Sequence, residues 1–137
     1  MAEGGTYTLV VALSTPARIE VGALGTISFE AGVYAYVGTA LGPGGFSRID
    51  RHRELDTGTR TTRHWHVDYL LGHSESSIES VITTPAVDGE CRVAESIDAE
   101  SVPHFGCSDC DCHSHLFYDA DRERLLAAAR KAHEKLQ

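Results

Sequence analysis

The fold is decided by residues 32–52, GVYAYVGTALGPGGFSRIDRH. Residues 32–38 are rich in tyrosine and valine and lie between glycines, which predicts a β-strand. The glycine- and proline-rich run at residues 42–45 cannot continue that strand. Residues 46–55 then place Phe46, Ile49 and Arg53 on one side and Arg48, His52 and Leu55 on another at helical spacing, so we predict that a helix follows.

The segments before this stretch predict a strand and a hairpin. Residues 6–13, TYTLVVAL, are a β-branched and apolar run that is typical of a buried strand. Residues 17–21 alternate in polarity, and residues 26–29 follow the glycine-bounded turn region at residues 22–25. Two short strands joined by such a turn predict a β-hairpin.

The segments after the stretch predict shorter elements and a final helix. The shorter elements are an ambiguous helix or strand at residues 65–71, a strand at 80–84, a helix at 90–97 and a strand at 116–118. Residues 119–136 predict a C-terminal helix, because acidic residues at its start and lysines near its end match the helix dipole. We therefore predict a single α+β domain over residues 1–137, with a small, mostly antiparallel sheet flanked by helices.

The composition is that of a globular chain with an acidic surface. Hydrophobic residues make up 42% and charged residues 23% of it, and no apolar run reaches the roughly 18 residues of a membrane span. Because the N terminus has no signal-peptide pattern, we expect a cytoplasmic protein with no membrane partner. A net charge of −8 with only two lysines, Lys131 and Lys135, is typical of a halophilic source, since salt screens self-repulsion. The charge argues against indiscriminate nucleic-acid binding, but not against a local basic groove.

Two short motifs and a helix make the sequence resemble the GIY-YIG nuclease superfamily. Gly5-Thr6-Tyr7 opens the first strand as G-I-Y does, and Tyr36-Val37-Gly38 closes a later strand as Y-I-G does. Arg48 and His52 follow on a helix, as the family's arginine and histidine do. The resemblance covers roughly residues 5–118. Within the superfamily, the sequence is similar to one largely archaeal branch, whose members are sometimes fused to endonuclease III.

The spacing of the two half-motifs departs from the family pattern. Twenty-eight residues separate Tyr7 from Tyr36, more than is typical, so we expect an extra hairpin inserted between the half-motifs. A rival placement of the first half-motif on residues 32–34 leaves a single residue between the two. That is too few to span two paired strands, so we prefer Tyr7.

The resemblance implies a metal-dependent endonuclease that cleaves phosphodiester bonds in DNA, with a role in repair. Tyr7 would help deprotonate the attacking water, and Tyr36 would be the second ring that lines the site. Arg48 would hold the scissile phosphate with its planar charge, and His52 would support it or relay a proton. An ordinary phenol, with a pKa near about 10, is a poor base at neutral pH and needs a cation or a metal-bound hydroxide nearby.

The resemblance also implies one carboxylate that holds a divalent ion, Mg²⁺ or Mn²⁺, mostly through water. Glu90 and Glu95 compete for this role. On the predicted helix, Glu90 shares a face with Val93 and Ile97 and would point towards the sheet, whereas Glu95 lies about 140° away and would point towards solvent. We therefore predict Glu90 as the ligand.

Basic residues cluster after the second half-motif and predict a DNA-contacting edge. The cluster contains Arg48, Arg51, Arg53, Arg60 and Arg63, joined by His52 and His64. Acidic residues are interspersed at Asp50, Glu54 and Asp56. Salt bridges within the cluster are therefore the alternative, and the sequence favours the two equally.

A second cluster offers thiolates and imidazoles. Cys107, Cys110 and Cys112 are too close together for a disulfide framework, so we expect reduced thiols. The C-x₂-C spacing is typical of a structural Zn²⁺ site, which His115 or Cys91 would complete. The customary second pair is absent, so small buried thiols in a tight turn, with His115 hydrogen-bonded, are the alternative.

Residues 64–68, HWHVD, carry a third candidate motif. On a strand, His64, His66 and Asp68 would share a face as in a dinuclear metal site, whereas on a helix only His64 and Asp68 would meet. The sequence thus leaves three functions, of which we favour the first. They are a DNA endonuclease, a non-catalytic nucleic-acid- or partner-binding module on the same fold, and a zinc hydrolase at residues 64–68. It leaves the oligomeric state open.

Overall fold

A computed structural model of the protein describes residues 4–40, 45–58, 66–73, 75–85, 89–97, 99–102, 105 and 114–136, without the side chains of Ala23, Arg48, His66 and Glu90. These residues form an α+β fold with a five-stranded sheet, a two-stranded sheet and four α-helices, which confirms the predicted class. The strand pairings in both sheets are antiparallel.

The strands match the predicted ones, with two differences. In chain order they are β1 (Gly5–Leu13), β2 (Ala17–Glu20), β3 (Thr26–Phe29), β4 (Gly32–Thr39), β5 (Ser76–Pro85), β6 (Glu100–Ser101) and β7 (Leu116–Asp119). The main sheet has the order β5-β1-β4-β7-β6, while β2 and β3 form the expected hairpin between β1 and β4. The predicted strand at residues 80–84 is too short, because β5 already pairs with β1 from Ser76 onwards. The edge strand β6 was not predicted.

The helices are α1 (Ser47–Thr57), α2 (His66–Leu71), α3 (Glu90–Ser96) and α4 (Arg122–Glu134). The ambiguous segment at residues 65–71 is therefore helical from His66. The prediction that the last helix spans residues 119–136 is wrong at its start, because Asp119 ends β7. The Asp121 carboxylate accepts hydrogen bonds from the main-chain N–H groups of Glu123 and Arg124, which fixes the first turn of α4.

Alternation along β1 places two cores on opposite faces of the main sheet. Tyr7, Leu9, Val11 and Leu13 face the first core, which also contains buried residues of α1, α2 and the hairpin. Val10 faces the second core, to which α3 and α4 contribute. The helix α1 therefore covers the same face of the sheet as the ring of Tyr7.

A buried histidine joins α4 to the second face. His133 Nε2 lies 2.7 Å from Thr8 Oγ1, and His133 Nδ1 lies 2.8 Å from Thr84 Oγ1. A neutral imidazole has one N–H donor and one acceptor nitrogen, so one threonine hydroxyl accepts and the other donates. Both ring nitrogens are satisfied without a charge, and burial lowers the pKa of His133 below its ordinary value of 6.5.

We expect the free energy of unfolding to decrease as pH falls below 6.5, and to decrease less in His133→Gln. Because the folded-state pKa is lowered from 6.5, the unfolded chain takes up the proton first; the stabilisation is complete above pH 6.5 and is lost below it. This histidine contributes at most about 1.4 kcal/mol per pH unit. Urea unfolding between about pH 5 and pH 7 measures the slope.

Two other histidines, His115 and His73, matter for the interpretation of the measured slope. His115, whose pKa burial also lowers, remains in the variant and leaves a residual slope. His73→Gln controls for the loss of a histidine from the chain. Equal slopes in the wild type and His133→Gln would show that His133 does not titrate differently in the folded and unfolded states.

Candidate active site

Three of the predicted site residues meet between β1, β4 and α1. Tyr7 Oη lies 2.9 Å from His52 Nε2, a hydrogen bond between residues 45 positions apart in the chain. The imidazole also contacts the ring of Tyr36, with centroids 6.2 Å apart and the planes at 72°. The two half-motif tyrosines therefore share one histidine, which α1 supplies.

The glycine of the second half-motif makes room for the tyrosine of the first. Gly38 is the register partner of Tyr7 in the β1–β4 ladder. A Cβ at position 38 would lie 2.7 Å from both Cζ and Oη of Tyr7, well inside contact distance. The ring of Tyr7 can lie across β4 only because residue 38 has no side chain. The close approach of the Tyr7 ring therefore explains why position 38 is a glycine.

The hydrogen-bonded pair is enclosed. Tyr7 and His52 are each 1% exposed, and Tyr36 is 8% exposed. A hydrogen bond in such surroundings is stronger than one in water. If Nε2 carries no proton, it accepts from the phenol and can take its proton, which would convert Tyr7 into a phenolate that can act as a base.

A bidentate ion pair anchors α1 to α2 beside this site. Arg51 Nη1 and Nη2 donate to Asp68 Oδ1 and Oδ2 at 3.0 and 2.9 Å. The side chain of Asp68 is fully buried, and that of Arg51 is 18% exposed. Because Arg51 precedes His52, the pair fixes the turn of α1 that presents the imidazole.

Arg51 was predicted as a DNA contact, with ion pairing inside the basic cluster as the alternative. Its guanidinium pairs with Asp68, an acid outside that cluster, and whether it also contacts DNA stays a prediction. Arg53 is exposed on α1. The sequence analysis had considered Asp68 only within the candidate motif at residues 64–68, and not as a partner of Arg51. A lone acid in the apolar segment HVDYLL was the available sign of a buried ion pair.

The start of α3 is tied to the strand that carries Tyr7. The main-chain N–H of Gly89 donates to Thr6 Oγ1 at 2.8 Å, so α3 begins near the start of β1, on the side of the second core and across the sheet from the Tyr7 ring. Val93 and Ile97 are buried and Glu95 is exposed, as the predicted helix required. The side chains of Glu90 and of Arg48, which lies one turn before His52, are outside the described part of the chain.

Of the other predicted site residues, only some lie in the described part of the chain. Outside the described residues lie Arg60, Arg63, His64, Cys107, Cys110 and Cys112. His115 is described and is buried, and burial lowers its pKa. Among the described residues, no group of three or more His, Cys, Asp or Glu side chains could hold a metal ion. The Zn²⁺ site at the cysteine cluster stays a prediction.

The predicted zinc hydrolase requires residues 64–68 to form a strand. This is wrong for the part of the segment that the structure describes. His66 and Asp68 lie on the helix α2, not on a strand, so they do not share a face. In addition, both carboxylate oxygens of Asp68 accept hydrogen bonds from Arg51.

The fold and the site define an α+β domain in which a buried tyrosine of an interior strand meets a helix histidine. The chain belongs to the family described as domain of unknown function DUF123, whose model matches residues 6–137. No curated protein and no solved structure matches it. Over the ranges described, none of the helices is long and apolar enough to cross a membrane.

Proposed function

We propose that this domain is a metal-dependent endonuclease of the GIY-YIG type that cleaves phosphodiester bonds in DNA, in a repair setting. The observation that carries the proposal is the Tyr7–His52 hydrogen bond, with Tyr36 against the same imidazole. The pairing of Tyr7 with Gly38 adds support, because it makes the two half-motifs parts of one structural unit.

In the proposed reaction, His52 accepts the phenol proton and Tyr7 Oη takes a proton from the attacking water. Arg48 would bind the scissile phosphate, since a guanidinium matches the geometry of phosphate oxygens. Glu90 would hold Mg²⁺ or Mn²⁺, since a carboxylate suits these ions; its helix starts near the same end of β1 as Tyr7, on the opposite face of the sheet. The ion, when bound, neutralises charge on the phosphate and the leaving oxygen.

The burial of the tyrosine–histidine pair favours a second candidate, a non-catalytic nucleic-acid- or partner-binding module on the same fold. Tyr7 and His52 are each 1% exposed, so a substrate phosphate reaches Tyr7 only if neighbouring chain segments move on binding. In a binding module, the same hydrogen bond would serve to dock α1 on β1.

We expect Glu90→Gln to reduce Mg²⁺-dependent cleavage of branched DNA by at least about 100-fold, because an amide no longer neutralises the ion. Glu95→Gln is the matched control, since Glu95 is an exposed glutamate of the same helix. The assay uses labelled three- and four-way junctions with Mg²⁺, Mn²⁺ or EDTA, over a range of KCl concentrations.

The possible outcomes separate the two candidates. Cleavage that survives Glu90→Gln would show that the metal assignment is wrong. A wild-type protein that binds junctions but cuts none of them at any salt or metal concentration would support the binding module instead.

A further inference from the structure

A cavity of about 290 Å³ lies between the hairpin and the edge of the main sheet. It is formed by β3 and the residue after it, by Tyr34 of β4, by β6 and by Tyr118 of β7. Tyr34 and Gly38 lie towards opposite ends of β4, so the cavity is distinct from the Tyr7–His52 site. The proposed endonuclease reaction makes no use of it.

Aromatic rings form one wall of this cavity. The rings of Tyr34 and Tyr118 have centroids 5.0 Å apart and are tilted by 47°. Phe29 packs edge-on against Tyr34, with centroids 5.6 Å apart. The face of an aromatic ring carries negative potential and attracts cations.

The polar atoms of the two tyrosines can only accept further hydrogen bonds. Tyr34 Oη donates to the main-chain oxygen of Glu30 at 2.6 Å, and Tyr118 Oη donates to that of Ala31 at 2.9 Å. Each phenol has a single hydrogen, so the remaining capacity of both oxygens is that of an acceptor. A ligand that meets them has to bring its own donors.

The charge of the cavity is negative. Glu30 and Glu100 line it; within the part of the chain that the structure describes, no lysine, arginine or histidine lines it and none is ion-paired with either carboxylate. The pKa of Tyr118 is raised first by burial and then by the charges of these two carboxylates, because both lie near its hydroxyl. The net charge of −8 adds to the negative potential.

We propose that this cavity binds a slender organic cation, an alkylammonium group, through the Tyr34 and Tyr118 rings and the Glu30 and Glu100 carboxylates. The volume suits an aliphatic amine chain, since cavities for drug-sized ligands begin at about 300 Å³. The ammonium group supplies donors for the phenol oxygens of Tyr34 and Tyr118 and a positive charge for the two carboxylates. The chemistry is the same for a free polyamine and for the side chain of a partner's lysine.

The test titrates the full chain with putrescine in one arm and with an acetylated, amidated lysine peptide in the other. Binding is followed by calorimetry and by NMR of the tyrosine rings. We expect shifts at Tyr34 and Tyr118 and none at Tyr69, a half-buried tyrosine that does not line the cavity. Tighter binding in one arm identifies the source of the amine.

The matched variants separate this site from general charge attraction. Glu30→Gln with Glu100→Gln should weaken binding about tenfold, as expected for the loss of two exposed ion pairs. Glu20→Gln with Glu134→Gln removes the same charge from exposed positions elsewhere and should change binding less than about twofold. These are surface positions, so all the variants should fold. Equal weakening in both double variants, or no tyrosine shift in either arm, would overturn the proposal.

Discussion

Tyr7→Phe should lower the rate of DNA cleavage by at least about 100-fold, the usual effect of losing a group that transfers protons in the transition state. The substitution removes only Oη, the atom that lies 2.9 Å from His52 Nε2. The ring keeps its place across Gly38, so the proposed cleavage site would lose its base and not its shape.

Tyr34→Phe is the matched control for this variant. Tyr34 is also a buried tyrosine facing the first core, and its hydroxyl also makes one hydrogen bond, to the main-chain oxygen of Glu30. Each variant should lose about 1 kcal/mol of stability, but only Tyr7→Phe should lose cleavage. If the two variants cut DNA at equal rates, Tyr7 is a packing residue and the proposed mechanism fails.

Asp68→Asn should lower the free energy of unfolding by about 3 kcal/mol, because it leaves the Arg51 charge against a neutral amide in a largely buried position. The pair is bidentate at 3.0 and 2.9 Å, and the Asp68 side chain has no exposure. Urea unfolding is the suitable measurement, since guanidinium salts would screen the remaining charges.

Two further variants show whether burial of the Arg51–Asp68 pair causes the effect. Glu79→Gln breaks the partly exposed pair with Arg122 by the same isosteric change and should cost less than about 1 kcal/mol. The double variant Arg51→Met with Asp68→Leu removes both charges and should recover most of the lost stability. Equal losses in Asp68→Asn and Glu79→Gln would contradict the anchoring of α1 by this pair.

Most of the fold could be predicted because its signals are local. The four strands from β1 to β4 begin and end within two residues of their predicted limits, since alternation and glycine boundaries are properties of short segments. The additional residues of β5 were missed because Ser76 and Ser77 have no strand pattern. They are extended because Leu13 and Ala12 pair with them. The two residues of β6 likewise depend on the edge that β7 provides.

The sequence predicted which residues belong to the candidate site, but not how those residues contact one another. Tyr7, Tyr36 and His52 came from the resemblance, and the structure brings these three together. The partner of Arg51 could not be predicted, because the nearest acids in sequence were Asp50 and Glu54. The observed partner, Asp68, lies on another helix and meets Arg51 only after α1 and α2 pack.

Local sequence patterns were enough to predict the α+β class, the hairpin between the half-motifs and the helices α1, α3 and α4, since each depends on periodicity within a few residues; α2 stayed ambiguous between helix and strand. Only the tertiary structure decided that the ring of Tyr7 crosses Gly38 to reach His52, that Asp68 holds Arg51, and that Glu30 and Glu100 face one cavity. Such contacts depend on strand register and on which faces are buried together. Those are set by the packing of the whole chain and not by any one segment.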